Sequence, residues 1–314
     1  RGLFPPTFGD GGIYGPEPEY TTPAWILFGL KAAYEAGRRL GLPGHEEIGK
    51  TFDSIRSAFY SAVRRDTKYT DQGIPYFPMS MRDTGQYQPQ TGTWALAQSI
   101  APGEVFAPDE PLVTDFLNLL DSIDNEEGIP ENTGWLTHDA VWGYSSMFYG
   151  QVWLYCGNGE KAADYLYAFA NHTSKGRCWR EEQALKGRQS SAIWGDMPHN
   201  WGSAEFIRLA RNLIVLEKQD NLELLCGLPD EWLPTEEARL YLEDTPTKYG
   251  RITLEMTRER EGYVLRVAAD LWRNPQKLIL HWRGQGRLSV PAVHSGNGWE
   301  MDGEIAVFTA KLVR

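Results

Sequence analysis

Four short segments set carboxylates beside tryptophan, glycine and histidine. Asp10 lies in Phe8-Gly9-Asp10-Gly11-Gly12, and Glu131 and Asp139 flank Asn132-Thr133-Gly134-Trp135-Leu136-Thr137-His138. Glu181 and Glu182 follow Trp179-Arg180, while Asp196 and His199 fall within Trp194-Gly195-Asp196-Met197-Pro198-His199-Asn200-Trp201. Hydrolysis of a glycosidic acetal needs an acid to protonate the leaving oxygen and a base or nucleophile on the opposite face, both commonly carboxylates. A sugar subsite also needs flat apolar surfaces next to hydrogen-bonding groups. Trp135, Trp194 and Trp201, close in sequence to His138, Asp139, Asp196 and His199, offer both. Every one of these residues also suits a plain structural role. Asp139 fits the first turn of a helix, where a negative charge favours the dipole, and His199 fits a helix cap. Glu181 and Glu182 are adjacent, so one of them at most is expected to face a pocket.

The elements that would hold these segments read as helical hairpins. Residues 23–40 form the first helix, with Thr22 as N-cap, Pro23 at the first helical position and Gly41 as the left-handed stop. The second carries Ile48, Phe52, Ile55 and Phe59 at steps of four, three and four, which is one helical face. Residues 67–92 are rich in Pro, Gly, Asp and Gln and read as a long loop of the functional kind. Further helices are expected at 93–100, after Pro108, at 139–156, at 160–171 and at 201–217, the last capped by Asn200. Trp25, Trp142 and Trp153 lie on helices and read as core. Beyond Cys226 the helical period gives way to alternation, as in Arg251-Ile252-Thr253-Leu254-Glu255-Met256-Thr257, with turn residues such as Asn274-Pro275 and Gly296-Asn297-Gly298 between short segments. These observations predict a mainly α chain with a helical portion over 1–222 and a small β-sandwich over 223–314.

Composition narrows the function. With 31 Lys+Arg against 42 Asp+Glu the net charge is −11, which opposes nucleic-acid binding, since neutralising phosphates needs a basic face. No apolar run approaches the roughly 20 residues that span a bilayer, so no membrane partner is expected. Cys156, Cys178 and Cys226 stand far apart, which suits neither a disulfide framework nor a zinc site. Phosphate-binding glycine loops, H-E-x-x-H and G-x-S-x-G are all missing, and neither a cofactor nor a metal is expected. Sparse cysteine and the lack of a visible leader predict a cytoplasmic location, or a periplasmic or secreted one if the start has been processed. The compositional anomaly is 12 Trp in 314 residues.

Several segments resemble the C-terminal half of six-hairpin glycosidases, the (α/α)6 toroids that include bacterial α-L-rhamnosidases. Phe8-Gly9-Asp10-Gly11-Gly12 is similar to their Trp-Gly-Asp-Ala step, and Asn132-Thr133-Gly134-Trp135 resembles Thr-Thr-Gly-Phe. Trp179-Arg180-Glu181-Glu182 and Met197-Pro198-His199-Asn200-Trp201-Gly202 resemble the Trp-Glu-Arg-Trp and Phe-Asn-His-Tyr pair. The resemblance implies a toroid, incomplete in this chain because seven helices are read where twelve close the ring. It implies an inverting glycoside hydrolase acting on a plant or microbial glycan. Glu181 would be the general base that activates water. Arg180 is an extra residue relative to the family pattern, which keeps Glu182 as an alternative. His199 would bond sugar hydroxyls, Asp10 would line the subsite and Trp135 would stack on the ring. The family's general acid lies upstream of the Gly-Asp step, so an N-terminal segment or a second chain would complete the site.

Two other classes stay open. A non-catalytic glycan-binding protein would use the same lining without the acid. A polysaccharide lyase would use His199 or Tyr144 to abstract a proton, although an acidic chain suits uronate polymers poorly.

Overall fold

The computed structural model describes residues 3–6, 16–83, 85, 87–133, 140–184 and 195–314. The chain divides into two compact units, residues 1–156 with 164–207, and residues 157–163 with 208–314.

The first unit is built on helices. α1 (Thr21–Leu40) and α2 (His45–Asp66) form a hairpin, and Gly41 ends α1 in the left-handed conformation (φ 64°) that its position predicts. Thr22 lies inside α1 rather than capping it, and Tyr20 occupies the cap position with no side-chain cap bond. Tyr20 is anchored instead by donating its hydroxyl to Asp66 at the end of α2, at 2.6 Å. The stretch read as a loop after α2 contains a two-stranded hairpin, β1 (Lys68–Tyr69) with β2 (Pro75–Tyr76). α3 (Trp94–Ile100) and α4 (Pro111–Ser122) follow, the latter with proline in its first turn.

Residues read as one helix over 139–156 divide into β3 (Val141–Trp142) and α5 (Gly143–Tyr155). Twelve of the 13 residues of α5 are buried, so it has no polar stripe, as expected of a helix enclosed on all sides. α1 packs on α3, and α3 on α5. α6 (Gly159–Asn171) leads to β4 (Glu182–Gln183), which pairs antiparallel with β3, and then to α7 (Asn200–Asn212).

The second unit is β-rich. Leu213 and Leu216 continue the spacing of α7, yet the helix stops at Asn212. Beyond a turn at Leu213-Ile214, β5 (Val215–Lys218) and β6 (Asn221–Leu224) form a hairpin that takes Leu216 out of the helix. β7 (Arg239–Thr247), β8 (Gly250–Glu259) and β9 (Gly262–Leu271) form a meander. They are followed by β10 (Lys277–His281), β11 (Gln285–Leu288), β12 (Val293–Ser295), β13 (Gly298–Asp302) and β14 (Val307–Val313). The strands make two five-stranded sheets, ordered β12-β13-β10-β6-β5 and β11-β14-β9-β8-β7. Both supply one core, in which Leu254, Leu265, Leu280 and Ala310 are fully buried.

The expectation of a mainly α chain is therefore corrected. Among the described residues, seven helices stand beside strands that make up 26% of those residues in four sheets, so the fold is mixed α and β rather than a helical toroid with a small appendage. The strands that sequence periodicity missed, β1 to β6 and β11 to β13, are only two to five residues long, too short to show clear alternation.

Candidate functional site

Of the four segments, the two around Trp179 and His199 converge. Trp179 is an anchor rather than a sugar platform. Its indole stacks on Phe169 with ring centres 4.6 Å apart and planes 5° from parallel, and its Nε1–H donates to the Phe169 carbonyl at 2.8 Å. From that anchor the chain passes through Arg180 and a bend at Glu181 into β4. Two backbone bonds then tie it to the segment that precedes α7. The His199 N–H donates to the Trp179 carbonyl at 2.9 Å, and the Glu181 N–H donates to the Asp196 carbonyl at 3.2 Å. The Arg180 guanidinium also reaches the Gly195 carbonyl at 3.1 Å.

This clamp brings three polar side chains together. One carboxylate oxygen each from Glu181 and Asp196 and one ring nitrogen of His199 all lie within 4.8 Å of one another. Gly195 permits the approach. It has φ 84°, and a Cβ there would collide with the Cβ and Oε2 of Glu181. Glu181 is half-buried, Asp196 is exposed and His199 is buried.

His199 begins α7. Its Nδ1 accepts the Gly202 N–H at 3.2 Å, so the side chain satisfies one of the free donors of the first turn. That bond uses the Nδ1 lone pair, and in the neutral ring the proton then sits on Nε2. Nε2 faces Asp196 Oδ1 at 3.9 Å. The cluster thus presents one N–H donor between two carboxylate acceptors. That pattern matches sugar hydroxyls, which donate and accept at once. The same three atoms could surround a cation only if Nε2 lost its proton while Nδ1 kept accepting from Gly202, which makes the donor set a poor fit for a metal.

Aromatic rings border the cluster. Tyr144 packs against Trp142 at 4.8 Å, His199 at 4.6 Å and Trp201 at 5.0 Å. Trp201 is 44% exposed and offers a flat apolar surface to solvent, with its Nε1–H donating to Glu205 at 3.2 Å. Glu182 is placed differently from its neighbour. It is 1% exposed and stands opposite Trp142 in the β3–β4 pair.

Of the residues singled out from the sequence, Glu181, Asp196, His199 and Trp201 lie on this one stretch, with Glu182 buried beside it. Asp10, Trp135, His138, Asp139 and Trp194 lie outside the described residues. Sequence reading missed Glu205, which is buried. It stands four residues after Trp201, on the same helical face, and that spacing was the signal for it.

No protein-family model matches the chain, and no curated protein matches it. Among solved structures, the chain is similar to the alpha-L-rhamnosidase from Dictyoglumus thermophilum, with 12% identity and a TM-score of 0.49. The alignment covers 90% of this chain and 30% of that one, so the chain spans under a third of that enzyme's length.

Proposed function

We propose that the protein is a glycoside hydrolase in which Glu181 activates the attacking water, Asp196 and His199 hold sugar hydroxyls, and Trp201 supports the ring face. The observation that carries this reading is the meeting of Glu181, Asp196 and His199 within 4.8 Å. The motif resemblance around Trp179 and His199 supports it. A carboxylate positioned beside the attacking water contributes roughly 10²–10⁴-fold in rate as a general base. Glu182, buried opposite Trp142, fits a structural role better.

Inverting hydrolysis places acid and base roughly 6.5–9.5 Å apart to admit water, and a retaining pair sits at roughly 5–5.5 Å. Glu181 and Asp196 are too close for the inverting arrangement, so in this reading they act on one side of the bond and the general acid is a separate residue. α-L-Rhamnosides are the first substrates to try, following the resemblance.

A panel of aryl glycosides offered to the protein tests the reading. Release of the aryl alcohol, with inverted anomeric configuration in the first-formed sugar, is the expected result. Saturable binding of the same glycosides with no turnover would instead mark a glycan-binding protein, and an unsaturated product absorbing in the ultraviolet would mark a lyase.

A further inference from the structure

The first unit contains a cavity of about 360 Å³, walled by α2, β2, α3 and α4. It shares no residue with the Glu181 cluster. Its size falls in the range of small-molecule sites, roughly 300–1,000 Å³. Two helix faces make its sides. α2 and its C-cap contribute Tyr60, Val63, Arg64 and Thr67. α4 contributes Leu112, Asp115, Phe116 and Leu119. Each set follows steps of three, one and three, which is a single helical stripe. Tyr76 and Phe77 bring the aromatic rings in the wall to four.

Asp115 interrupts the apolar stripe of α4. Leu112, Phe116 and Leu119 on that face are buried, and Asp115 itself is half-buried. Among the described residues it has no hydrogen-bond or ion-pair partner. Three other polar groups of the wall are engaged. Thr67 donates to the Val63 carbonyl at 2.7 Å, Thr93 donates to the Gln90 carbonyl at 2.8 Å, and Tyr60 donates to Glu110. Burial pushes the Asp115 carboxyl above the usual carboxylate range, and no neighbouring charge, Arg64 included, takes part in that shift. Arg64 is exposed, so water and salt screen its guanidinium. A partly desolvated carboxylate that accepts from nothing is costly, and a ligand that donates to it would remove that cost.

We propose that this cavity binds a small aromatic amine in its ammonium form, the ring against the aromatic side chains and the ammonium donating to Asp115. Because Asp115 is half-buried rather than enclosed, the ammonium keeps part of its water while the ring fills the apolar chamber. A carboxylate head group would be repelled by Asp115 and disfavoured by the ring faces, which attract cations. A neutral ring gains the apolar contact alone, and an alkylamine gains little from a partly solvated ion pair by itself. A monosaccharide would leave most of its hydroxyls without partners. This site goes beyond the glycosidase reading and stands if that reading fails.

Titration calorimetry on the unaltered protein at neutral pH tests the proposal, with phenethylamine, ethylbenzene, hydrocinnamate and butylamine as probes. The proposal expects phenethylamine to bind at least tenfold more tightly than each of the others. It also expects Asp115→Asn, checked for retained helical circular dichroism, to erase the advantage over ethylbenzene while ethylbenzene itself binds as before. An advantage smaller than tenfold over any of the three, an advantage that survives in folded Asp115→Asn, or no binding of phenethylamine by the folded protein would overturn it.

Discussion

At the residue scale the account depends on how closely Glu181 is held against Gly195, Asp196 and His199. Single residues in the sequence signalled candidates, and spacing marked His199 as a possible cap. Their convergence was not legible, because two backbone hydrogen bonds, Glu181 to Asp196 and His199 to Trp179, join segments that carry no periodic pattern. Nor could spacing alone separate Glu181 from Glu182; burial does that, since only the second is enclosed. Gly195 gives the test at this scale. Gly195→Ala places a Cβ against the Glu181 side chain at φ 84°. Left-handed strain should lower unfolding free energy by about 1–2 kcal/mol, read from urea denaturation. Displacement of Glu181 should cut kcat at least tenfold with less change in KM. Unchanged kcat would mean that the contact between Gly195 and Glu181 does not position the base.

At the element scale, long amphipathic helices were legible and short strands were not. α1 and α2 carry enough turns for their apolar faces to repeat. β3 and β4, two residues each, are defined by pairing with a partner 40 to 42 residues away in sequence and by nothing local. The end of α7 shows the same limit. Leu213 and Leu216 keep the helical step, but hairpin pairing of β5 with β6 overrides it. The α1–α2 hairpin supplies a pH prediction. Burial raises the Asp66 carboxyl, but hydrogen bonds from Arg65 and Tyr20 outweigh it and leave the group below its ordinary value of 3.8. A carboxyl depressed in the folded state contributes stability that is fully present above its unfolded value and is lost as pH falls through the folded one. Tyr20→Phe should therefore cost about 1.5 kcal/mol at neutral pH, and the difference from the unaltered protein should shrink as the pH is taken below 3.8. Denaturant melts across that range check it; a pH-independent difference would mean that the Tyr20–Asp66 bond is not the source.

At the scale of the whole molecule, part of the tryptophan content acquires a location. The β-rich unit was legible in outline from the alternation of Arg251-Ile252-Thr253-Leu254, but its extent was not, because β5 and β6 precede the point where the helical period visibly ends. Leu254 sits fully buried where both sheets meet in one core, so Leu254→Ala should cost about 2–5 kcal/mol, seen as a lower denaturation midpoint with an unchanged slope. A smaller loss would mean that the core collapses around the gap. Trp179 serves as an anchor and Trp201 as a surface, so the excess of tryptophan divides between packing and the edge of the site. The central claim is that this edge performs hydrolysis through Glu181. The most direct measurement is kcat on one aryl glycoside for Glu181→Gln and Glu182→Gln, each with glycoside affinity measured in parallel. The account predicts a loss of roughly 10²–10⁴-fold for Glu181→Gln with binding retained, and a far smaller loss for Glu182→Gln in protein that stays folded. Near-normal turnover in Glu181→Gln, or a loss confined to folded Glu182→Gln, would contradict it.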